Sequence, residues 1–427
     1  MSAGKLKVKF SNEVDSGLRH RLLSEIQKAT YINDNGNVSW SDHDIEQYIA
    51  VLNDAYTFPE ELSRRERGEA VWTGIFNARK KDKLTDNSVI EEIQRFSDGK
   101  LAEPTRHFSM WSRLSYRPAT SQRDKKFSYG DVNLRLCANL PRYMRIREED
   151  LFYLTPIKTK DKSGFGFLIA TTHARNETHA ADKMFDASDM FQAMYNLALK
   201  PWNIIGSEQR PETTLQMGPY HFLYRERQSL LDKSKWYYNQ NFRDEYWNST
   251  SSESQKIFNV APKIKSALVK LESHPLKKSL SSVLLMMNDG MEAANMSQRT
   301  LRYWTALERL FQDHNEKTTY KKIIQRATYL DDPADLARAK LHRLMRIRNK
   351  YIHMGIADNE HHQLTQYLAE HIKTHLFYLL FNGDDFKEHS EFIDMTDLPS
   401  DPESLQRRRR AIERRERMIE KRRHRDD

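Results

Sequence analysis

The sequence predicts an α+β protein in three parts: a mixed α/β domain with a small sheet over residues 1–250, an all-α helical bundle over 255–385, and a charged helical tail over 403–427. Three observations predict it. The segments His107 to Arg117, Lys126 to Leu136 and Gly164 to Thr172 are rich in aromatic, aliphatic and β-branched side chains and carry stretches of period-two alternation, the spacing of strands with one buried face. Past the polar run Asn248 to Ser254, the apolar residues recur at the three- and four-residue spacing of helices. From Arg407 onward, ten Arg and one Lys stand against five acidic residues, so this tail carries +6 of the formal net charge of +9.

Taken in chain order, Leu6 to Phe10 and Asn37 to Trp40 read as short strands. Ser41-Asp42-His43-Asp44 supplies capping chemistry for a helix with Ile45, Tyr48, Ile49 and Leu52 on one face. Further helices are predicted from Pro59 to Lys80 and from Val89 to Phe96, the latter closed by Asp98-Gly99. After the three strand segments come a helix from Ala180 to Leu199, a strand from Tyr220 to Tyr224, and an aromatic cluster including Trp236, Tyr237, Tyr238 and Phe242 that reads as core or interface. The bundle follows as Ile257 to Leu271, Leu276 to Asn295, Gln298 to Phe311, Thr319 to Leu330, Pro333 to His353 and His361 to Phe381, joined by the short connections of antiparallel neighbours. Asp384 to Pro402 shows little pattern. The tail, with Leu405, Ile412 and Ile419 as its apolar positions, reads as a solvated helix rather than a coiled coil.

Composition excludes several classes of function. No apolar run approaches the length of a membrane span, and the first ten residues alternate Lys with apolar residues instead of forming a signal sequence, so the chain reads as cytoplasmic. The single cysteine, Cys137, forms neither an internal disulfide nor a paired-cysteine metal clasp, and it lies in an alternating segment as a packed strand thiol. Gly164-Phe165-Gly166 lacks the third glycine and the following helix of a dinucleotide loop. No motif assigns the N-terminal domain more than a sensing or regulatory role.

Chemistry concentrates in Leu341 to Gly355. On a helix, Arg348 neighbours Leu344, Met345, Tyr351 and Ile352, an apolar stripe that packs against the bundle or a partner, whereas Arg346 and Lys350 project elsewhere. A guanidinium set in such a stripe needs an anion. Asn349 and His353 stack four residues apart, and Gly355 is placed to end the helix in a left-handed turn. His353 then falls in the last turn, among the carbonyl ends.

Arg348-Asn349-x-x-x-His353 resembles the signature of HEPN ribonucleases, and Tyr303-Trp304-Thr305-Ala306-Leu307-Glu308-Arg309-Leu310 is similar to the aromatic helix that precedes the signature in the Apea-like branch of that family. The resemblance covers about Leu276 to Phe381. It implies a HEPN bundle and a metal-independent endoribonuclease without cofactors, with Arg348, Asn349 and His353 as catalytic residues and Glu308 and Tyr351 supporting them. It also implies a homodimer that joins two copies of the motif in one cleft, and a role in prokaryotic anti-phage defence or stress. An antitoxin or a phage-derived trigger is then an expected further partner.

The chemistry is consistent with those residue types. In transesterification the ribose 2′-hydroxyl attacks the adjacent phosphorus, so a base, an acid and donors to the phosphorane are all required. Histidine, with an ordinary pKa of about 6.5, suits proton transfer, and arginine offers two parallel donors to phosphorane oxygens. One histidine does not easily serve as both base and acid, and a second copy of the chain supplies the other.

Other readings of the same residues stay open. Arg348 can instead form a buried ion pair with Glu308 that holds two helices in register, leaving a non-catalytic HEPN-fold adaptor for RNA or protein. His371 and His375 have metal-ligand spacing next to Glu370, but without an assigned third ligand they read as helix-interface histidines. Lys350 with Arg407, Arg408, Arg409, Arg410, Arg414 and Arg415 are the candidate RNA contacts, and the tail reads alternatively as a solvated helix or a partner-docking one.

Overall fold

The computed structural model describes residues 7–40, 44–118, 123–145, 165–199, 213–226, 236–239, 242, 251–293, 295–313, 318–331, 333–355, 361–399 and 401–426. Several sequence-based expectations fall partly outside these residues, among them the start of the first strand, the Ser41-Asp42-His43 cap, Gly164 at the start of the third strand segment, and the run Asn248 to Thr250.

The first hundred residues form a helical unit with two small ribbons: β1 (Lys9–Phe10), α1 (Ser16–Ala29), β2 (Thr30–Ile32), β3 (Val38–Trp40), α2 (Ile45–Asn53), β4 (Tyr56–Thr57), α3 (Arg64–Lys80) and α4 (Asp86–Ala102). β1 pairs with β4 and β2 with β3, both antiparallel. Its core joins Leu23 and Ile26 of α1, Ile45, Ile49 and Leu52 of α2, Val71 and Ile75 of α3, and Val89 and Ile93 of α4. The helix starts are written in the sequence: Ser63 and Glu66 form a reciprocal capping box on α3, and Thr85 caps α4.

A six-stranded antiparallel sheet follows, built from β5 (Arg106–Leu114), β6 (Lys125–Tyr129), β7 (Val132–Cys137), β8 (Phe167–Ala174), β9 (Met217–Arg225) and β10 (Trp236–Tyr238). Its spatial order is β10-β9-β5-β8-β7-β6. The segment expected as one strand from Lys126 to Leu136 is a hairpin, turned at Gly130, whose φ of 57° is left-handed. One face of the sheet carries Phe108, Met110, Phe127, Leu134 and Leu136 into the main core. The other carries Trp111, Ile169, Phe222 and Tyr224 into a smaller cluster with Met144.

Helix α5 (Glu177–Leu199) lies against the main-core face, and α6 (Ser251–Ser273), α7 (Lys277–Glu292), α8 (Met296–Phe311), α9 (Tyr320–Ala327), α10 (Ala334–Met354), α11 (His362–Asn382) and α12 (His389–Thr396) complete the bundle. The charged α13 (Pro402–Asp426) follows.

The hydrophobic core does not divide at the polar run near residue 250. A single cluster of buried side chains extends from Phe108 in β5 through Phe191 in α5 and Leu284 in α7 to Ile393 in α12. Polar bonds cross the same junction: Asn196 Nδ2 donates to Asn288 Oδ1 (2.9 Å), Gln192 Nε2 to Glu292 Oε1 (2.7 Å) and the Gly130 amide to Glu272 Oε2 (3.1 Å). The division between hydrophobic clusters falls earlier, between α4 and β5.

Candidate functional site

Helix α10 buries Ala337, Leu341, Leu344 and Ile347 along one face, which fixes the direction of every other side chain on it. Its start is packed rather than capped, because Pro333 at the N-cap makes no side-chain hydrogen bond. Its end is the left-handed turn that the sequence implies: Gly355 has φ 66° and ψ 10°, and its amide donates to the Tyr351 carbonyl at 2.9 Å.

Arg348 sits at the border of the buried face, its side chain 15% exposed. One guanidinium nitrogen, Nη1, donates to the Tyr320 hydroxyl (2.8 Å) and to Asn349 Oδ1 (3.0 Å). Nη2 lies 3.8 Å from Glu308 Oε1, an electrostatic contact longer than a hydrogen bond. The guanidinium carbon stands 5.3 Å from the centre of the Tyr320 ring, and Nε is buried without a hydrogen-bond partner among the described residues. Glu308 is itself held, since Trp304 Nε1 donates to its Oε1 at 2.8 Å. Three helices therefore meet here: α8 supplies Trp304 and Glu308, the first residue of α9 is Tyr320, and α10 supplies Arg348 and Asn349.

His353 is not part of this cluster. It lies on the exposed side of the last turn and makes no hydrogen bond to a described residue. Along that exposed side run Arg343, Arg346 and Lys350, spaced at three and four, so His353 continues a basic strip. Tyr351 is half-buried, but Ile352 is 42% and Met354 68% exposed, so the apolar stripe flanking Arg348 emerges into solvent at the helix end. The tail arginines Arg407, Arg408, Arg409, Arg410, Arg414 and Arg415 are all exposed on α13. Two of them are engaged along the helix, Arg407 with Glu403 (3.2 Å) and Arg409 with Glu413 (3.1 Å).

The other histidine pair is buried. His371 and His375 face Asp331, and one ligand atom from each lies within 4.8 Å of the others. Burial holds both imidazoles below their ordinary pKa, His375 at about 3. Glu370, the neighbour in sequence, is not in that group and lies 3.8 Å from Lys373.

Sequence reading missed Tyr320, Trp304 and Asp331. The four-residue spacing of Trp304 and Glu308 was available as a signal, whereas Tyr320 and Asp331 reach their partners only through tertiary packing.

Two clefts lie elsewhere. One of about 660 Å³ is lined by His107, Lys126, Asn133, Arg135, Tyr143 and Glu226. A second, of about 380 Å³, includes Asp189, His221, Asp289 and Glu292. Neither contains a residue of α10. His221 also hydrogen-bonds Ser112, its partner in register across β5 and β9; Ser112 is 2% exposed, and burial lowers the His221 pKa to about 4, so the pair is strand packing rather than an exposed nucleophile and base. No described helix is long and apolar enough to cross a membrane.

No known family, curated protein or solved structure matches this chain.

Proposed function

We propose that the chain is a metal-independent endoribonuclease that cleaves RNA by 2′-hydroxyl transesterification at a site shared by two copies. The observation that carries the reading is the placement of Arg348: a guanidinium held by Tyr320, Asn349 and Glu308 at the edge of the core, one turn before an exposed histidine at the end of the same helix. A phosphate offers that guanidinium a better partner than a carboxylate 3.8 Å away, because it accepts two charge-assisted hydrogen bonds at once.

In this reading Arg348 stabilises the phosphorane, Asn349 orients it, and His353 transfers the proton. Glu308 and Tyr320 keep the guanidinium from turning into solvent. The exposed Ile352 and Met354 supply the apolar contact through which a second copy brings its own Arg348 and His353. Arg343, Arg346, Lys350 and the tail arginines attract the RNA backbone without sequence preference.

The role follows the same resemblance: RNA cleavage in prokaryotic anti-phage defence or stress, held back until an antitoxin leaves or a phage-derived trigger is sensed. Arg348→Ala and His353→Ala should each lower cleavage by at least about a hundredfold, as loss of a phosphorane donor and of a proton-transfer group respectively do, and wild-type cleavage should persist in excess chelator. Sequencing RNA ends from cells expressing wild type beside Arg348→Ala and His353→Ala reads the first, and RNA cleavage by the purified chain in excess chelator reads the second. Cleavage that survives both substitutions, or that requires added divalent metal, overturns the proposal.

A second reading draws on a specific observation as well. Arg348 joins Glu308 of α8, Tyr320 of α9 and Asn349 of its own helix, as befits a side chain that fixes α8 against α10 in a non-catalytic HEPN-fold adaptor. Retained RNA binding without products across several RNAs and activating conditions would favour it.

A further inference from the structure

The turn between α9 and α10 and the middle of α11 bring together three side chains that the proposed RNA site does not use. His371 and His375 stand four residues apart on α11, and Asp331 approaches them from the turn. His371 Nε2 lies 2.9 Å from the Ala327 carbonyl, the arrangement in which an imidazole donates one N–H to the backbone and keeps its other nitrogen as a base. That other nitrogen, Nδ1, lies 3.7 Å from Asp331 Oδ1.

Two further ligand atoms in the cluster lack hydrogen-bond partners among the described residues. His375 is 2% exposed and its Nδ1 is buried without a hydrogen bond, and so is Asp331 Oδ2. Buried polar atoms are ordinarily paired. A proton shared by His371 Nδ1 and Asp331 Oδ1 would satisfy neither of these atoms, and the 3.7 Å between that nitrogen and oxygen already exceeds a hydrogen bond.

We infer that Asp331, His371 and His375 bind a divalent transition-metal ion, with zinc the expected occupant. Two imidazole nitrogens and a carboxylate oxygen are a zinc donor set, and a tetrahedral ion with bonds of about 2.0–2.1 Å holds its ligand atoms roughly 3.3 Å apart. The three atoms, already within 4.8 Å of one another, reach that spacing by small side-chain adjustments. Asp331, whose side chain is 26% exposed, leaves a side from which a water molecule would complete the coordination. The nearby cation Lys340 is held over the Tyr367 ring, its Nζ 4.4 Å from the ring centre.

Such an ion would tie the turn that precedes α10, and hence the start of the helix carrying Arg348, to α11. The inference does not depend on the RNA reading, since metal binding is measured without RNA.

The test uses the full chain, stripped of metal and titrated with zinc chloride, followed by cobalt(II) as a spectroscopic probe. Uptake of one zinc per chain, a rise in Tm of about 5 °C at saturation, and the visible absorption of tetrahedral cobalt are expected. Affinity should fall at least about tenfold in Asp331→Asn and in His375→Gln. Asp331→Asn is nearly isosteric and partly exposed, so it reports on a folded protein even where the buried histidine variant does not fold. Failure of the wild type to take up zinc in excess, or undiminished uptake by folded Asp331→Asn, overturns the inference.

Discussion

Arg326 shows what a single buried charge demands. It is 1% exposed, and its fork donates to both oxygens of Asp397, Nε to Oδ1 at 2.7 Å and Nη2 to Oδ2 at 2.8 Å, while Nη1 donates to the Phe311 carbonyl at 3.1 Å. Removing the carboxylate leaves an uncompensated buried guanidinium, so Asp397→Ala should cost about 3–5 kcal/mol, read by denaturant melts. The Arg326 hydrogen bonds hold the Asp397 carboxyl below its ordinary pKa. A depressed carboxyl contributes stability that is complete above the unfolded-state value and is lost as the pH falls through the folded-state value. The gap in Tm between wild type and Asp397→Asn should therefore be widest near neutrality and close in acid; a gap independent of pH contradicts this assignment. Arg348 was legible in the sequence because its anomaly is local, a charge in an apolar stripe. Asp397, Tyr320 and Asp331 were not, because each lies well away in sequence from the group it meets and ordinary polar loops contain the same residue types.

Helix periods were largely readable, and their ends less so. The capping box at Ser63 and the left-handed Gly355 are terminators with local causes, and the sequence shows both. Helix α4 continues through Gly99 to Ala102, past the stop that Asp98-Gly99 suggests, because Asp98 accepts from Gln94 within the helix and Lys100 pairs with Glu103 in its last turn. Helix α12 was unread: it has only eight residues, and it is held by Phe392 and Ile393 in the main core and by Asp397 just beyond its end. Close packing sets the spacing of α7 and α8, where a β-carbon on Gly290 would run into the ring of Tyr303. Gly290→Ala should destabilise by about 1–3 kcal/mol, seen as a lowered Tm, and an unchanged Tm would show that α8 moves aside freely.

At the scale of the whole molecule, the sequence shows where the periodicity changes but not which faces are shared. Strands alternate and helices repeat whether or not they pack on one another, so residue 250 marks a change of pattern inside a continuous core. Phe258 of α6 meets Tyr116 at 5.6 Å between ring centres, and Ile257, Ala261 and Ile264 join the same cluster. A fragment of residues 255–385 would expose this face, at about 1.5–3 kcal/mol for each large apolar side chain. It should fail to melt cooperatively by circular dichroism, whereas residues 104–399 should do so; a cooperative melt of the shorter fragment refutes the shared core. Deletion of residues 403–427 should leave the Tm unchanged, since the described side chains of α13 are almost all exposed, and under the RNA reading it should flatten the salt dependence of RNA binding.

The Glu66 carboxylate serves two masters. Its Oε2 accepts from the Ser63 amide (2.8 Å) and from Arg175 (3.0 Å), and its Oε1 accepts from Asn176 (2.8 Å), so one 2%-exposed group both starts α3 and fastens it to the junction of β8 and α5. Prising the first hundred residues away from the sheet would thus fray the opening turn of α3 in the same motion. Amide hydrogen exchange at Ser63 should accelerate in step with that separation, which makes this turn a natural gauge of any signal passing from the N-terminal unit to the remainder of the chain.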